Sequence, residues 1–310
     1  MRSCSLNHFP QIRQRNGERL LWNPLVKKAF RNLPEERVRL QTLEFLLHEA
    51  GWSPFRISSE TAIRNRGHAD GTVRADMICY DQDFNPALII ECKAPEIRLT
   101  EKTALQIAGY NRTIKAPYLL LTNGVMDACF ELDEHSGSAK SIEPARIFGT
   151  REVPDYRTLT YFNERGFSGV RSSLPVKDWL TQALPEFWKR PAEPDGTMYL
   201  DLGKTADGEP VNHYYRIFPV QEGKKLALTF TAARSGDTCI IAVLNEKGVN
   251  SGLLEINLER ILQNEPYPAV FYHSNGKKKM DVPGFPDLLN YDQEQILTLS
   301  ERIIGKLSNI

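Results

Sequence analysis

The chain has 310 residues, 41% hydrophobic and 25% charged, which suits a globular protein with room for two domains. No apolar run approaches the roughly 20 residues that span a bilayer, and Met1–Pro10 lacks a basic patch followed by an apolar core, so a cytoplasmic location without membrane anchor or secretory signal is expected. Lys+Arg and Asp+Glu balance at 39 each, and residues 1–150 hold 20 basic against 18 acidic groups, so any nucleic-acid footprint has to be a local patch.

Short extended pieces in NGERLLWNPLVKKAFRNL predict an opening hairpin. The segment Leu33–Gly51 then reads as a helix: Pro34 suits its first turn, Glu35 and Glu36 its positive end, and Gly51 its stop. Val38, Leu40, Leu43, Phe45, Leu46 and Leu47 form its inward stripe. Strands are expected at about Phe55–Ile63, Val73–Tyr80 and Ala87–Cys92, separated by the turn-rich RNRGHADG and DQDFNP. A helix over about Thr100–Ile114, a buried strand at Tyr118–Thr122, and an Asn123-Gly124 turn into Ala128–Leu132 follow. This order predicts an α/β mixed sheet flanked by helices over residues 1–150.

Residues 151–310 read as a second, mainly β domain for specificity or interaction, a candidate surface for a homo-oligomer or a partner protein. Its strand-like stretches are Tyr214–Val220, Leu226–Ala232, Cys239–Leu244, Leu253–Leu258 and Ala269–Tyr272, with a closing amphipathic helix at Asp292–Leu307. Trp179, Trp188, Tyr214 and Tyr215 are expected in its core rather than stacked on bases. Lys277-Lys278-Lys279 is expected at a hairpin tip. The five scattered cysteines suit buried, reduced thiols, not a disulfide frame or a zinc site.

Chemistry concentrates in Ala75-Asp76-Met77-Ile78 and Ile89-Ile90-Glu91-Cys92-Lys93, which end apolar strands in charge. Burying a carboxylate costs several kcal/mol unless it is compensated. Strand alternation puts Glu91 and Lys93 on one face and Cys92 on the other. If the two strands are adjacent, Asp76 joins the first face. Two carboxylates, with the Cys92 carbonyl as a further donor, suit Mg²⁺ or Mn²⁺. A metal there polarises a scissile phosphate and acidifies a bound water, while Lys93 positions or deprotonates that water and offsets transition-state charge. A buried Glu91–Lys93 ion pair beside a turn-associated Asp76 would have the same sequence.

Gln106 and Tyr110 share one helix face in QIAGY, a pair similar to the QxxxY of nucleases of the lambda-exonuclease and RecB branch, where it orients the site and contacts the DNA backbone. The string ECKAPEIRLTEKTALQIAGYN, the following LLLTNG and the upstream LPEERVRLQTLEFLL resemble the N-terminal nuclease domain of type I restriction enzyme R subunits, over roughly Gly17–Glu143. The resemblance implies a restriction-endonuclease-like fold and a PD-(D/E)XK site with Asp76, Glu91 and Lys93 as catalytic residues. It also places Gln106 and Tyr110 on the helix motif and Glu36 on an acidic position that helps hold the metal. The proline that precedes the first aspartate in that family is replaced by Ala75. No GxxxxGK[ST] is present, so ATP-driven translocation is not expected.

Arg64, Arg66 and Arg74, with Lys27, Lys28 and Arg31, form a candidate phosphate-contacting patch, although solvated charged turns would look the same. His68 and Asp70 in GHADG suit a turn better than a metal site. The expected function is thus metal-dependent hydrolysis of DNA phosphodiester bonds, in defence against foreign DNA or in repair. The alternative is a catalytically idle nuclease fold acting as a DNA- or protein-binding module.

Overall fold

A computed structural model describes residues 1–16, 18–64, 72–100, 111, 113–133, 138–149, 155–189, 196–263, 265–280 and 303, without the side chains of 60–64 and 72–74. The chain divides into two compact units, Met1–Pro154 and Asp155–Ile310. Among the described residues no helix is long and apolar enough to cross a membrane.

The first unit opens with β1 (Gln11–Arg15), β2 (Glu18–Asn23) and β3 (Lys28–Phe30), an antiparallel three-stranded sheet where the sequence predicts only a hairpin. The third strand is only three residues long, too short for periodicity to reveal it. Helix α1 (Pro34–His48) follows, with Pro34 in its first turn and Glu35 and Glu36 beside its free amides. Then come β4 (Ile57–Arg64), β5 (Thr72–Tyr80), β6 (Pro86–Cys92), β7 (Tyr118–Thr122), β8 (Asp127–Leu132), β9 (Ala139–Ile142) and the single turn α2 (Ala145–Phe148). These six strands pair in chain order. Only β6 and β7 run parallel, with Leu88 opposite Tyr118 and Cys92 opposite Thr122. A parallel pair needs a long crossover, and residues 93–117 supply it. Residues 111, 113 and 114 are helical there, while 101–110 lie outside the described residues.

Alternation along β6 divides the core. Leu88, Ile90 and Cys92 join Val38, Leu40, Leu43 and Leu46 of α1, and Leu21 of β2, on one face. Ile89 joins Leu119, Leu121 and Ala116 on the other. Burying each large side chain contributes about 1.5–3 kcal/mol, so the register of β6 is held from both sides.

The second unit is a seven-stranded antiparallel meander: β10 (Thr197–Leu200), β11 (His213–Gln221), β12 (Lys224–Ala232), β13 (Thr238–Glu246), β14 (Val249–Asn257), β15 (Ala269–His273) and β16 (Gly276–Met280). Leu226, Leu228, Ile240, Ile241, Leu254 and Ile256 are all buried, as the sequence predicts. One-sided alternation does not describe them, however. The pairings Phe230↔Ile240 and Thr229↔Ile241 put Ile240 and Ile241 on opposite faces, because β13 is a central strand covered on both sides.

Helices α3 (Leu159–Glu164) and α4 (Leu174–Phe187) belong to this unit, and the short α5 (Leu258–Leu262) begins at a residue expected to end a strand. Phe187 packs on Phe230 with ring centroids 5.1 Å apart, and Trp179 at 5.9 Å, which sets α4 on one sheet face. Trp179, Trp188, Tyr214 and Tyr215 are core residues. Lys277–Lys279 lie within β16 and not at a hairpin tip, which is formed by Ser274-Asn275.

One turn fixes the height of α1 over the sheet. Gly124 has φ +77°, and a Cβ there would stand 3.1 Å from Val38 Cγ2 and 3.3 Å from Gln41 Oε1. Gly124→Ala is therefore expected to destabilise the first unit by about 1–3 kcal/mol, read as a lower urea midpoint. An unchanged midpoint would show that α1 is not seated on this turn.

Candidate active site

The site lies where β5 and β6 stop being a regular ladder. Met77 pairs with Ile90 and Ile78 with Ile89, the pairing ends there, and Asp76 and Glu91 are the next residues on the two strands. Instead of a regular backbone bond, the Cys92 N–H donates to Asp76 Oδ2 at 2.7 Å. One residue on, the Lys93 N–H donates to the Thr122 carbonyl of β7 at 2.8 Å. Asn123 then pins the chain after Lys93: its Nδ2 donates to the carbonyl of Ile97 at 2.9 Å, and its Oδ1 accepts from the amides of Val125 and Met126.

The charged side chains form one pair, Lys93 with Glu91, and one bridge, Arg39 between Glu36 and Asp76. Lys93 Nζ donates to Glu91 Oε1 at 2.7 Å. From α1, Arg39 Nη1 meets Glu36 Oε2 at 2.8 Å and Arg39 Nη2 meets Asp76 Oδ1 at 3.2 Å. These groups are largely shielded from bulk water: side-chain exposure is 13% for Glu91, 14% for Asp76, 11% for Arg39 and 26% for Lys93. Such screening makes each charge felt more strongly by its neighbours.

Burial raises the Glu91 carboxyl above its ordinary value, the nearby Asp76 charge adds to the rise, and Lys93 opposes it. For Lys93, burial alone would lower the pKa; the Glu91 hydrogen bond and the charges of Glu91, Glu35 and Asp76 outweigh it and hold the ammonium above its usual value. The Cys92 thiol is raised far above its normal range by complete burial, with Asp76 adding to it. It therefore stays protonated, and only the main chain of Cys92 is open to ligation.

The donors fit a hard divalent cation. Among the described residues Glu91 Oε2 is buried and makes no hydrogen bond, an expensive state for a carboxylate oxygen that a cation would relieve. Asp76, Glu91 and the Cys92 carbonyl are all oxygen donors, the set preferred by Mg²⁺ and Mn²⁺. Among the described residues no group of three His, Cys, Asp or Glu side chains converges on one point. Glu36 stands one step removed, joined to Asp76 through Arg39.

Of the other predicted site residues, Gln106, Tyr110, Arg66, His68 and Asp70 lie outside the described residues. Arg64 ends β4 and Arg74 stands two residues before Asp76 in β5, with Arg64 paired to Thr72 and Ala62 to Arg74. Lys27, Lys28 and Arg31 are exposed about the short β3. Sequence reasoning missed Arg39, Glu35 and the Asn123 clamp. The only signal for Arg39 was its place one turn after Glu36.

Residues 34–144 match the family described as type I restriction enzyme R protein N terminus (HSDR_N). This agrees with the resemblance carried by ECKAPEIRLTEKTALQIAGYN. The R-protein segment begins with the first residue of α1 and ends just past β9, so it holds the whole six-stranded sheet and every group of the site. It covers just over a third of the chain, and the second unit lies outside it. No curated protein matches the chain.

The pairing of Glu91 with Lys93 makes a direct test. In metal-free protein, Lys93→Met should push the Glu91 carboxyl higher still, because the cation that favours its ionised form has gone. The shift is followed as the Glu91 carboxyl-carbon resonance against pH. A fall, or no change, would show that Lys93 does not hold Glu91 ionised.

Proposed function

We propose that the first unit is a metal-dependent nuclease that hydrolyses DNA phosphodiester bonds, acting in restriction of foreign DNA or in repair. The observation that carries this reading is the hydrogen bond from the Cys92 N–H to Asp76 Oδ2, which holds Asp76 beside the Glu91-Cys92-Lys93 run, while among the described residues a buried Glu91 oxygen makes no hydrogen bond. The match to the R-protein family supports a restriction-related DNA function.

Asp76, Glu91 and the Cys92 carbonyl would hold Mg²⁺ or Mn²⁺. When bound, such an ion supplies Lewis-acid polarisation of the phosphate and a more acidic water. The chain's own part is to hold the ligands and to keep Lys93 beside Glu91. Because its pKa is raised, Lys93 is an ammonium at neutral pH, which supports hydrogen-bond donation to attacking water and phosphate over proton abstraction. Gln106 and Tyr110 are assigned to orientation of the site, and Arg64, Arg66 and Arg74 to contact with the phosphate backbone.

The two closed pairs, Arg39–Asp76 and Lys93–Glu91, favour the second reading, a catalytically idle fold that binds DNA or protein. Cleavage of single-stranded, duplex and nicked DNA under Mg²⁺ or Mn²⁺ separates the two. Lys93→Ala is expected to keep metal affinity near wild type while cleavage falls by about 10²–10³ or more. Glu91→Ala is expected to lose metal binding itself. No cleavage by wild type on any substrate, or undiminished cleavage by Lys93→Ala, would put the idle module ahead.

A further inference from the structure

Both oxygens of Asp76 are engaged: Oδ2 accepts the Cys92 amide at 2.7 Å and Oδ1 meets Arg39 Nη2 at 3.2 Å. The amide bond is internal to the β5–β6 junction and leaves the carboxylate where the strands put it. The guanidinium arrives from another element, α1, and its second nitrogen is held 2.8 Å from Glu36. Arg39 therefore has somewhere to remain if it leaves Asp76. A guanidinium stays charged at any pH a protein survives, so it is a permanent monovalent cation on the carboxylate that a divalent ion would also need.

Resting on the nuclease reading, we propose that Arg39 is a positioning residue that braces Asp76 in the metal-free protein and is displaced from it, onto Glu36, when a divalent cation binds. The brace keeps an inward carboxylate compensated while no ion is there, and it sets a threshold below which scarce divalent ions are not retained. Loss of the charge at position 39 should then tighten metal binding, the opposite of what loss of a purely structural contact would do.

The test uses the full chain stripped with EDTA, with Mn²⁺ as the probe and free Mn²⁺ read by electron paramagnetic resonance. Arg39→Gln keeps a donor for Asp76 but removes the charge, and is expected to bind Mn²⁺ about tenfold more tightly. Arg39→Lys keeps the charge and should stay near wild type. In EDTA, Arg39→Gln and Asp76→Asn should each lower the melting temperature, and the double variant should lose less than the two losses added together. Wild-type Mn²⁺ binding that Arg39→Gln leaves unchanged or weakens overturns the displacement alone. Strictly additive melting losses overturn the brace. Failure of wild type and Arg39→Gln alike to bind Mn²⁺ overturns the nuclease reading and the displacement with it, leaving the metal-free brace to be judged on the melting data.

Discussion

The antiparallel register of β5 on β6 decides where each charge of the first unit can stand. Sheet side chains alternate with a period of two, so a slip of one residue would turn the apolar residues of β6 to the opposite faces and break the alignment of the Glu91-Cys92-Lys93 run with Asp76. The slip is blocked because both faces of β6 are buried, Leu88, Ile90 and Cys92 against α1 and Ile89 against the crossover side. A sheet with one wet face would hold this register less firmly. Glu91 stands next to the last residue of β6, whereas Asp76 lies midway along β5, just past its last pairing with β6.

Given that register, the remaining elements act as supports. The parallel partner β7 receives the Lys93 amide, and Asn123 fastens the chain beyond it. Gly124 lets α1 approach closely, and α1 in turn delivers Arg39 and Glu36. Buried ion pairs of this kind add little net stability, because desolvation offsets most of the attraction. Their presence on two interior strands of a well-packed apolar sheet is better explained by use than by folding. In the second unit the central strand β13 is buried on both faces, and the rings of α4 pack on β12.

Much of the first unit was legible in the sequence because its signals are local. Pro34, Glu35, Glu36 and Gly51 mark α1, and ALIIEC and YLLLT read as buried strands. The pair Glu91 and Lys93 follows from alternation alone. What was not legible depends on packing between distant segments. Arg39 is an ordinary helix arginine until α1 is laid against β5. Helix α4 was hidden by Pro175 and Pro185, which read as breakers although one begins the helix and the other falls in its last turn. Strand β16 was hidden by Lys277–Lys279, a charged run that belongs on a sheet edge. Gln106 and Tyr110, which depend on the crossover, rest on the sequence alone.

The hydrogen bond from the Cys92 amide to Asp76 has a consequence for how such sites can vary. The middle residue of the Glu91-Cys92-Lys93 triplet gives the site a main-chain N–H, while its side chain is wholly enclosed in the core beneath α1. Chemical identity at this position is thus uncoupled from the chemistry beside it. What the fold asks of position 92 is a small apolar volume and an amide hydrogen, which every residue type except proline can offer. A thiol there is a matter of fit, and a valine or alanine would serve the same office.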